Sequence, residues 1–179
     1  MFLMRRFVGI VTMVLFLAAP AFASLKVGDS APPFTLQASM GGKVFDFDLA
    51  SALQKGPVVL YFYPAAFTKG CTIEAHDFAD AIDQYKALGA TVIGVSHDTI
   101  DVLNKFSVSE CRSKFPVAAD ADLKVAAAYD SILKAAPKYA DRTSYVISKD
   151  GKIAYVYSSL DPDKHVENTL TALKSLVKP

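Results

Sequence analysis

Hydrophobic positions along this chain follow two rhythms, and their alternation sets out the elements. Val58 to Tyr63 is an unbroken β-branched and aromatic run, the pattern of a strand buried on both faces, and Pro64 ends it because proline cannot donate to a sheet ladder. Beyond Gly70 the apolar positions switch to helical spacing at Cys71, Ala75, Phe78, Ile82 and Tyr85, which predicts a helix from Cys71 to about Leu88 with Gly89 as its stop. Thr91 to Ser96 is a second continuous β-branched strand, so strand, helix and strand predict a parallel crossover unit with both faces covered. Upstream, Met40-Gly41-Gly42 separates two short extended runs, Phe34 to Ala38 and Lys43 to Phe47, and predicts a hairpin followed by a short helical turn over Asp48 to Gln54. Downstream the pattern predicts a helix over Thr99 to Ser113, a short strand over Pro116 to Ala119, a helix over Ala121 to Tyr129 and an exposed excursion from Asp130 to Asp141. Thr143 to Ser148 and Lys152 to Tyr157 alternate around Asp150-Gly151, a second hairpin. Pro162 to Val177 closes the chain as an amphipathic helix with Val166, Leu170, Leu173 and Leu176 on one face.

One βαβ unit, a late hairpin and a final helix, in that order, point to an α/β thioredoxin-like fold: a central mixed β-sheet flanked by helices, with an N-terminal β-hairpin. A Rossmann phosphate loop is disfavoured, since no Gly-x-Gly-x-x-Gly follows any strand.

Composition changes this picture mainly at the N-terminus. A length of 179 residues, 52% of them hydrophobic, suits one domain with a substantial core, and a formal charge of +1 suggests neither nucleic acid nor an anionic surface as partner. Met4-Arg5-Arg6 is a basic stretch, Phe7 to Ala19 an uncharged apolar run, and Ala21-Phe22-Ala23 a small-x-small cleavage pattern. Residues 1–23 are therefore expected to be a secretory signal peptide cleaved near Ala23, which sends a single domain, residues 24–179, outside the cytoplasm and into the periplasm. The apolar run is shorter than the ~20 residues that span a bilayer, and no later segment could cross one, so stable membrane insertion is not expected after cleavage; retention as an anchor is the alternative.

The candidate chemistry begins with the 2 cysteines, Cys71 and Cys111. In an exported protein they are the only possible disulfide pair, and a purely structural bridge closing so long a loop stabilises a fold by roughly 3 to 4 kcal/mol in the chain-entropy picture. Cys71 also falls in the first turn of a helix, where unpaired N–H groups and the positive end of the helix dipole favour a thiolate over a thiol. Taken alone, it can equally be a small core residue on the apolar stripe, and Thr68 can simply cap the helix by accepting from the Cys71 N–H.

The joint arrangement of Pro64, Thr68 and Cys71 is more specific: it resembles the Pro-x-x-x-Thr-x-x-Cys motif of the peroxiredoxins. The resemblance extends over most of the chain after residue 24 in three separated blocks. Val27-Gly28-Asp29-Ser30-Ala31-Pro32-Pro33-Phe34-Thr35-Leu36 looks like that family's opening. Gly70-Cys71-Thr72-Ile73-Glu74-Ala75 is similar to its Q-type, or bacterioferritin-comigratory, subfamily, and Arg142-Thr143-Ser144-Tyr145-Val146-Ile147-Ser148-Lys149-Asp150-Gly151-Lys152 to its arginine-bearing hairpin.

The resemblance implies a thiol peroxidase acting on hydrogen peroxide and organic hydroperoxides, with no cofactor and no metal. Cys71 would be the nucleophile and Arg142 the cation that holds the sulfur charged. Thr68 would bridge the peroxide, and Pro64 would shape the loop and shield the thiolate. The sulfenic acid product needs a second thiol. In the commonest Q-type pattern a resolving cysteine stands five residues after the first, but that position is His76 here. The resemblance therefore implies Cys111 as an alternative resolving cysteine, an intramolecular Cys71–Cys111 disulfide, and a thioredoxin-like dithiol protein as reductant. Monomer and weak homodimer remain equally open.

His76 reads as an ordinary exposed or partly buried histidine pointing away from the sulfur, a proton donor in recycling, or a metal ligand. Glu74 reads as a helix-end carboxylate, with the resemblance adding a subfamily role near Arg142 or the active loop, while His97 and His165 show no companion spacing. The rival classes are an exported thioredoxin-like copper chaperone using Cys71, His76 and Cys111, and a structural domain with one disulfide. A disulfide oxidoreductase is disfavoured, because Glu74 rather than cysteine stands three residues after Cys71.

Overall fold

The computed structural model describes residues 25–177, so the signal peptide and cleavage expected over residues 1–23 lie outside the described residues. The first hairpin forms as expected from β1 (Thr35–Met40) and β2 (Lys43–Asp48). Gly41 and Gly42 between them take φ of 57° and 79°, the left-handed pair that a two-residue turn of this hand requires. Next comes α1 (Leu49–Lys55), capped by the Asp48 carboxylate, which accepts from the Ser51 N–H. The expected crossover is β3 (Val58–Phe62), α2 (Lys69–Ala87) and β4 (Thr91–Ser96). The rest of the chain supplies α3 (Ile100–Ser109), β5 (Val117–Ala119), α4 (Lys124–Ala128), β6 (Thr143–Ile147), β7 (Ile153–Ser158) and, after a 3-10 turn at Pro162–Lys164, α5 (His165–Leu176).

All seven strands join one mixed sheet in the order β2-β1-β5-β4-β3-β6-β7. β3 lies inside it, parallel to β4 and antiparallel to β6, and every one of its residues is buried. Its side chains alternate between two cores. Val59 and Tyr61, with Tyr63 just past the strand, pack with Phe78 and Tyr85 of α2, Phe106 of α3 and Leu173 of α5. Val58, Leu60 and Phe62 pack on the other face with Leu49 and Ala52 of α1 and Ala126 of α4. This two-sided burial is why β3 reads as an uninterrupted apolar run.

Several boundaries differ from the periodicity. α3 ends at Ser109 rather than Ser113, because Arg112 and Ser113 take left-handed φ of 51° and 57° and turn the chain away. Cys111 therefore sits in the turn behind the helix, its N–H still donating to the Phe106 carbonyl at 3.1 Å. α4 starts later than expected, where the Asp120 carboxylate accepts from the N–H groups of Val125 and Ala126. The excursion over 130–141 is pinned near both ends, with Ser131 and Ala140 buried and Ile132 bridged to Ala140, while most of the residues between them are exposed or half-buried. On α5, Leu170 and Leu173 are buried but Leu176 is exposed, while the polar residues His165 and Thr169 are fully buried. Among the described residues no helix is long and apolar enough to cross a membrane.

Candidate active site

Where β3 ends, the chain from Pro64 to Thr68 forms a loop held from the end of β4. His97 Nδ1 donates to the Pro64 carbonyl at 2.9 Å, and the Asp98 carboxylate accepts from the Ala66 N–H at 2.7 Å and from Ser96 Oγ at 2.8 Å. Phe67 adopts a left-handed φ of 62°, with its half-exposed ring edge-on to Phe106 of α3 at 5.2 Å. Thr68 is the last extended residue before α2, but its hydroxyl does not cap the helix. Oγ1 instead donates back to the Ala65 carbonyl at 2.9 Å, which closes the loop. Cys71 is the third helical residue, where a backbone N–H has no intrahelical partner, and it is only 2% exposed.

Arg142 reaches this sulfur from the start of β6, across the sheet. Its side chain is buried, and each part of the guanidinium has a partner: Nε donates to the Leu160 carbonyl at 2.9 Å, Nη1 to Glu74 Oε2, and Nη2 to Cys71 Sγ at 3.4 Å. The Arg142 carbonyl in turn accepts from the Ser159 N–H at 3.1 Å. This is a fork fixed at three points, an arrangement that a planar guanidinium permits and an ammonium does not. Gly70 makes room for it, since a Cβ there would stand 3.0 Å from Nη2.

Glu74 completes the cluster. It is fully buried one helical turn after Cys71, so both face Arg142. Burial pushes its carboxyl up to about 8, outweighing the pull of the Arg142 charge in the other direction. Its other oxygen, Oε1, lies 3.6 Å from Nδ1 of the buried His165. Glu74 was legible as a helix-end carboxylate, but its complete burial was not. His165, Ser144, His97 and Asp98 were not legible, because the contacts that tie them to this site, with Glu74, with each other, with Pro64 and with Ala66, are made by tertiary structure.

The structure thus gathers Pro64, Thr68, Cys71 and Arg142 at one end of the sheet. Cys111 is fully buried, in the same apolar cluster as Cys71 and alongside Tyr61, Tyr63 and Phe106, and both thiols are free. Burial pushes the Cys111 thiol up strongly, with the Glu110 charge adding to the effect, so it is held as a neutral thiol. His76 is half-exposed, as expected, and pairs through Nε2 with Glu110 Oε2 at 2.8 Å. Among the described residues no group of three His, Cys, Asp or Glu side chains is placed to hold a metal ion.

Comparison with known proteins identifies relatives of this arrangement. The AhpC/TSA family matches residues 27–156. The chloroplastic peroxiredoxin Q of Sedum lineare is 34% identical over 156 residues, which cover 87% of this chain and 81% of that one. Peroxiredoxin Bcp of Escherichia coli strain K12 is 33% identical over 155 residues, 84% of this chain and 96% of that one. The crystal structure of peroxidoxin BcpB from Mycobacterium tuberculosis superposes with a TM-score of 0.76 at 34% identity, covering 85% of this chain and 98% of that one.

Proposed function

The chain belongs to the AhpC/TSA family and is a thiol-dependent peroxidase, and from that premise we propose that Cys71 attacks the peroxide, Cys111 resolves the product, and a thioredoxin-like dithiol protein restores both thiols. The observation that carries this reading is the hydrogen bond from Arg142 Nη2 to Cys71 Sγ, 3.4 Å long, which holds a fixed positive charge beside a buried sulfur.

In the first step the Cys71 thiolate attacks one oxygen of a hydroperoxide. An S–O bond forms, the O–O bond breaks, and the second oxygen leaves as alkoxide or hydroxide and takes up a proton from solvent. Arg142 and the Cys71 N–H are placed to stabilise charge moving along that bond. The Thr68 hydroxyl, donating to Ala65, keeps its lone pairs open to the peroxide O–H. Pro64 offers no N–H to compete for the substrate.

In the second step the Cys111 sulfur attacks the sulfenic sulfur, the S–S bond forms and water leaves. Both thiols are buried in the packed state, so this step needs local opening of the first turn of α2 and of the turn after α3. Two-electron exchange with the dithiol donor then returns both thiols.

Rapid-mixing measurements of hydrogen peroxide consumption, with thiol trapping of the products, test the scheme. Cys71→Ser should abolish consumption. Cys111→Ser should permit one oxidation per chain and then stop; full turnover of Cys111→Ser with a dithiol donor would remove Cys111 from the cycle.

The N-terminal sequence pattern also supports export, with residues 24–179 acting in the periplasm as a monomer or weak homodimer. Mass spectrometry of protein from a periplasmic fraction should find an N-terminus near Ser24; an intact Met1 in the membrane fraction would instead indicate an anchor. The copper-chaperone reading finds no support, because the His76 ring is engaged with Glu110 and both thiols are buried in the apolar core.

A further inference from the structure

Behind the Arg142 guanidinium lies a buried polar group that the steps above do not use. Glu74 Oε2 accepts from Arg142 Nη1, but Oε1 has no hydrogen-bond partner. Facing Oε1 at 3.6 Å is Nδ1 of His165, the first residue of α5 and itself fully buried. A buried carboxyl oxygen without a donor is costly, so a proton between the two groups would have a clear use.

The tautomer follows from the partners. His165 Nε2 lies 2.9 Å from the Ser159 carbonyl, which can only accept, so Nε2 carries a proton. Nδ1 lies 2.8 Å from Ser144 Oγ, which can donate or accept. One proton is therefore left to be placed between Nδ1 and Glu74 Oε1. With that proton on the carboxyl, the guanidinium's charge is directed at the Cys71 sulfur alone. With Glu74 ionised, the same charge is divided between the sulfur and the carboxylate.

We propose that His165 is a positioning residue of the peroxidase site: it supports Glu74 from behind, keeps the Arg142 fork directed at Cys71, and by facing Oε1 biases whether that carboxyl keeps its proton, which sets how much of the guanidinium's charge acts on the sulfur. This role presupposes that Cys71 is the reacting thiol.

Burial favours the neutral form of both groups. It pushes Glu74 up to about 8 against the pull of Arg142, with Asp77 adding to the rise. It pushes His165 down, reinforced by Arg142 and opposed by the Ser159 carbonyl, Asp161 and Asp141. Tyr157 of β7 completes the surroundings, edge-on to the imidazole at 4.8 Å. Near neutrality the cluster holds a protonated Glu74, a neutral His165 and a guanidinium directed at Cys71. As pH rises through about 8, Glu74 ionises and the pull on the sulfur weakens.

The test follows two reactions of the reduced protein against pH: oxidation by hydrogen peroxide and alkylation by iodoacetamide. A Cys111→Ser background leaves one thiol to report. With His165 present, the rate constants should fall roughly three- to tenfold, the range of one ordinary hydrogen bond, across a step near pH 8. His165→Asn can donate to Oε1 but cannot take up the proton, so it should move the step to lower pH. Ser144→Ala frees Nδ1 to accept from the protonated carboxyl and should move it to higher pH. Glu74→Gln should remove the step, and adding His165→Asn to that variant should change the profile no further.

A merely structural histidine predicts a uniform loss of rate with the step unmoved, and that result overturns the proposal, as does a step that survives Glu74→Gln. Should His165→Asn fail to fold, the Ser144→Ala and Glu74→Gln profiles decide the matter. A protein that alkylates with the expected profile but ignores hydrogen peroxide sinks the peroxidase cycle and leaves the role of His165 standing. One that consumes peroxide with an unmoved profile does the reverse.

Discussion

Arg142 is the residue on which the site depends, because its Nε, Nη1 and Nη2 are committed to the Leu160 carbonyl, Glu74 and Cys71 at once. A lysine is a point charge on a flexible stem and cannot span all three. Arg142→Lys should therefore slow Cys71 oxidation in stopped-flow by about 10²-fold or more, the size of effect seen when a preorganised donor is lost; a change below about tenfold would show that the fork is dispensable. Gly70→Ala is the gentler companion. Its new methyl group would meet Nη2 at 3.0 Å, so the guanidinium tip must give way and the rate should fall by a smaller factor. Thermal stability should hold, since alanine favours a helix more than glycine does. Cys71, Thr68 and Pro64 were legible as a group because they are neighbours in sequence. Arg142 came from resemblance and not from spacing, and its partner Leu160 from neither.

Among the elements, the segment Glu110–Lys114 matters most, because it carries Cys111. Three contacts dock it onto α2: Glu110 on His76, Arg112 on Asp80, and Lys114 Nζ on the Ala79 carbonyl at 2.9 Å. The His76–Glu110 contact is partly exposed and the Arg112–Asp80 ion pair largely so, and an exposed ion pair is worth ~1 kcal/mol or less. The segment is therefore held firmly enough to bury Cys111 and lightly enough to open. Combining Glu110→Gln with Arg112→Ala should speed formation of the Cys71–Cys111 disulfide after a peroxide pulse roughly three- to tenfold, in line with the loss of about 1 kcal/mol, with the first oxidation unchanged. Quenched-flow trapping reads both steps, and unaltered disulfide formation would mean that undocking does not limit resolution. Periodicity extended α3 through this segment because left-handed residues at Arg112 and Ser113 leave no mark in a hydrophobic pattern.

For the whole molecule, the buried cluster links stability to pH. Glu74 keeps its proton up to about 8 when folded but releases it near 4.5 when unfolded, so over that interval unfolding releases a proton and stability falls as pH rises. His165 acts in the opposite sense: its folded proton affinity lies below the ordinary value of 6.5, so its contribution is lost as pH drops below 6.5. Between pH 6.5 and about 8 only Glu74 of this pair acts, and the melting temperature of the wild type should decline relative to Glu74→Gln. Parallel melting curves across that window would mean that Glu74 is already ionised when folded.

The sequence by itself determined the order of strands and helices, the stop at Pro64, the two hairpin turns and the placing of a cysteine at a helix tip. Each of these rests on residues a few positions apart, where spacing translates directly into geometry. Only the tertiary structure decided the electrostatics. It brought Arg142 to a sulfur 71 positions away, turned Glu74 inward, set His165 behind it and shut Cys111 into the core. Burial and charge pairing depend on how sheet and helices pack, and they set the chemistry of a side chain far more than its type or its neighbours along the chain.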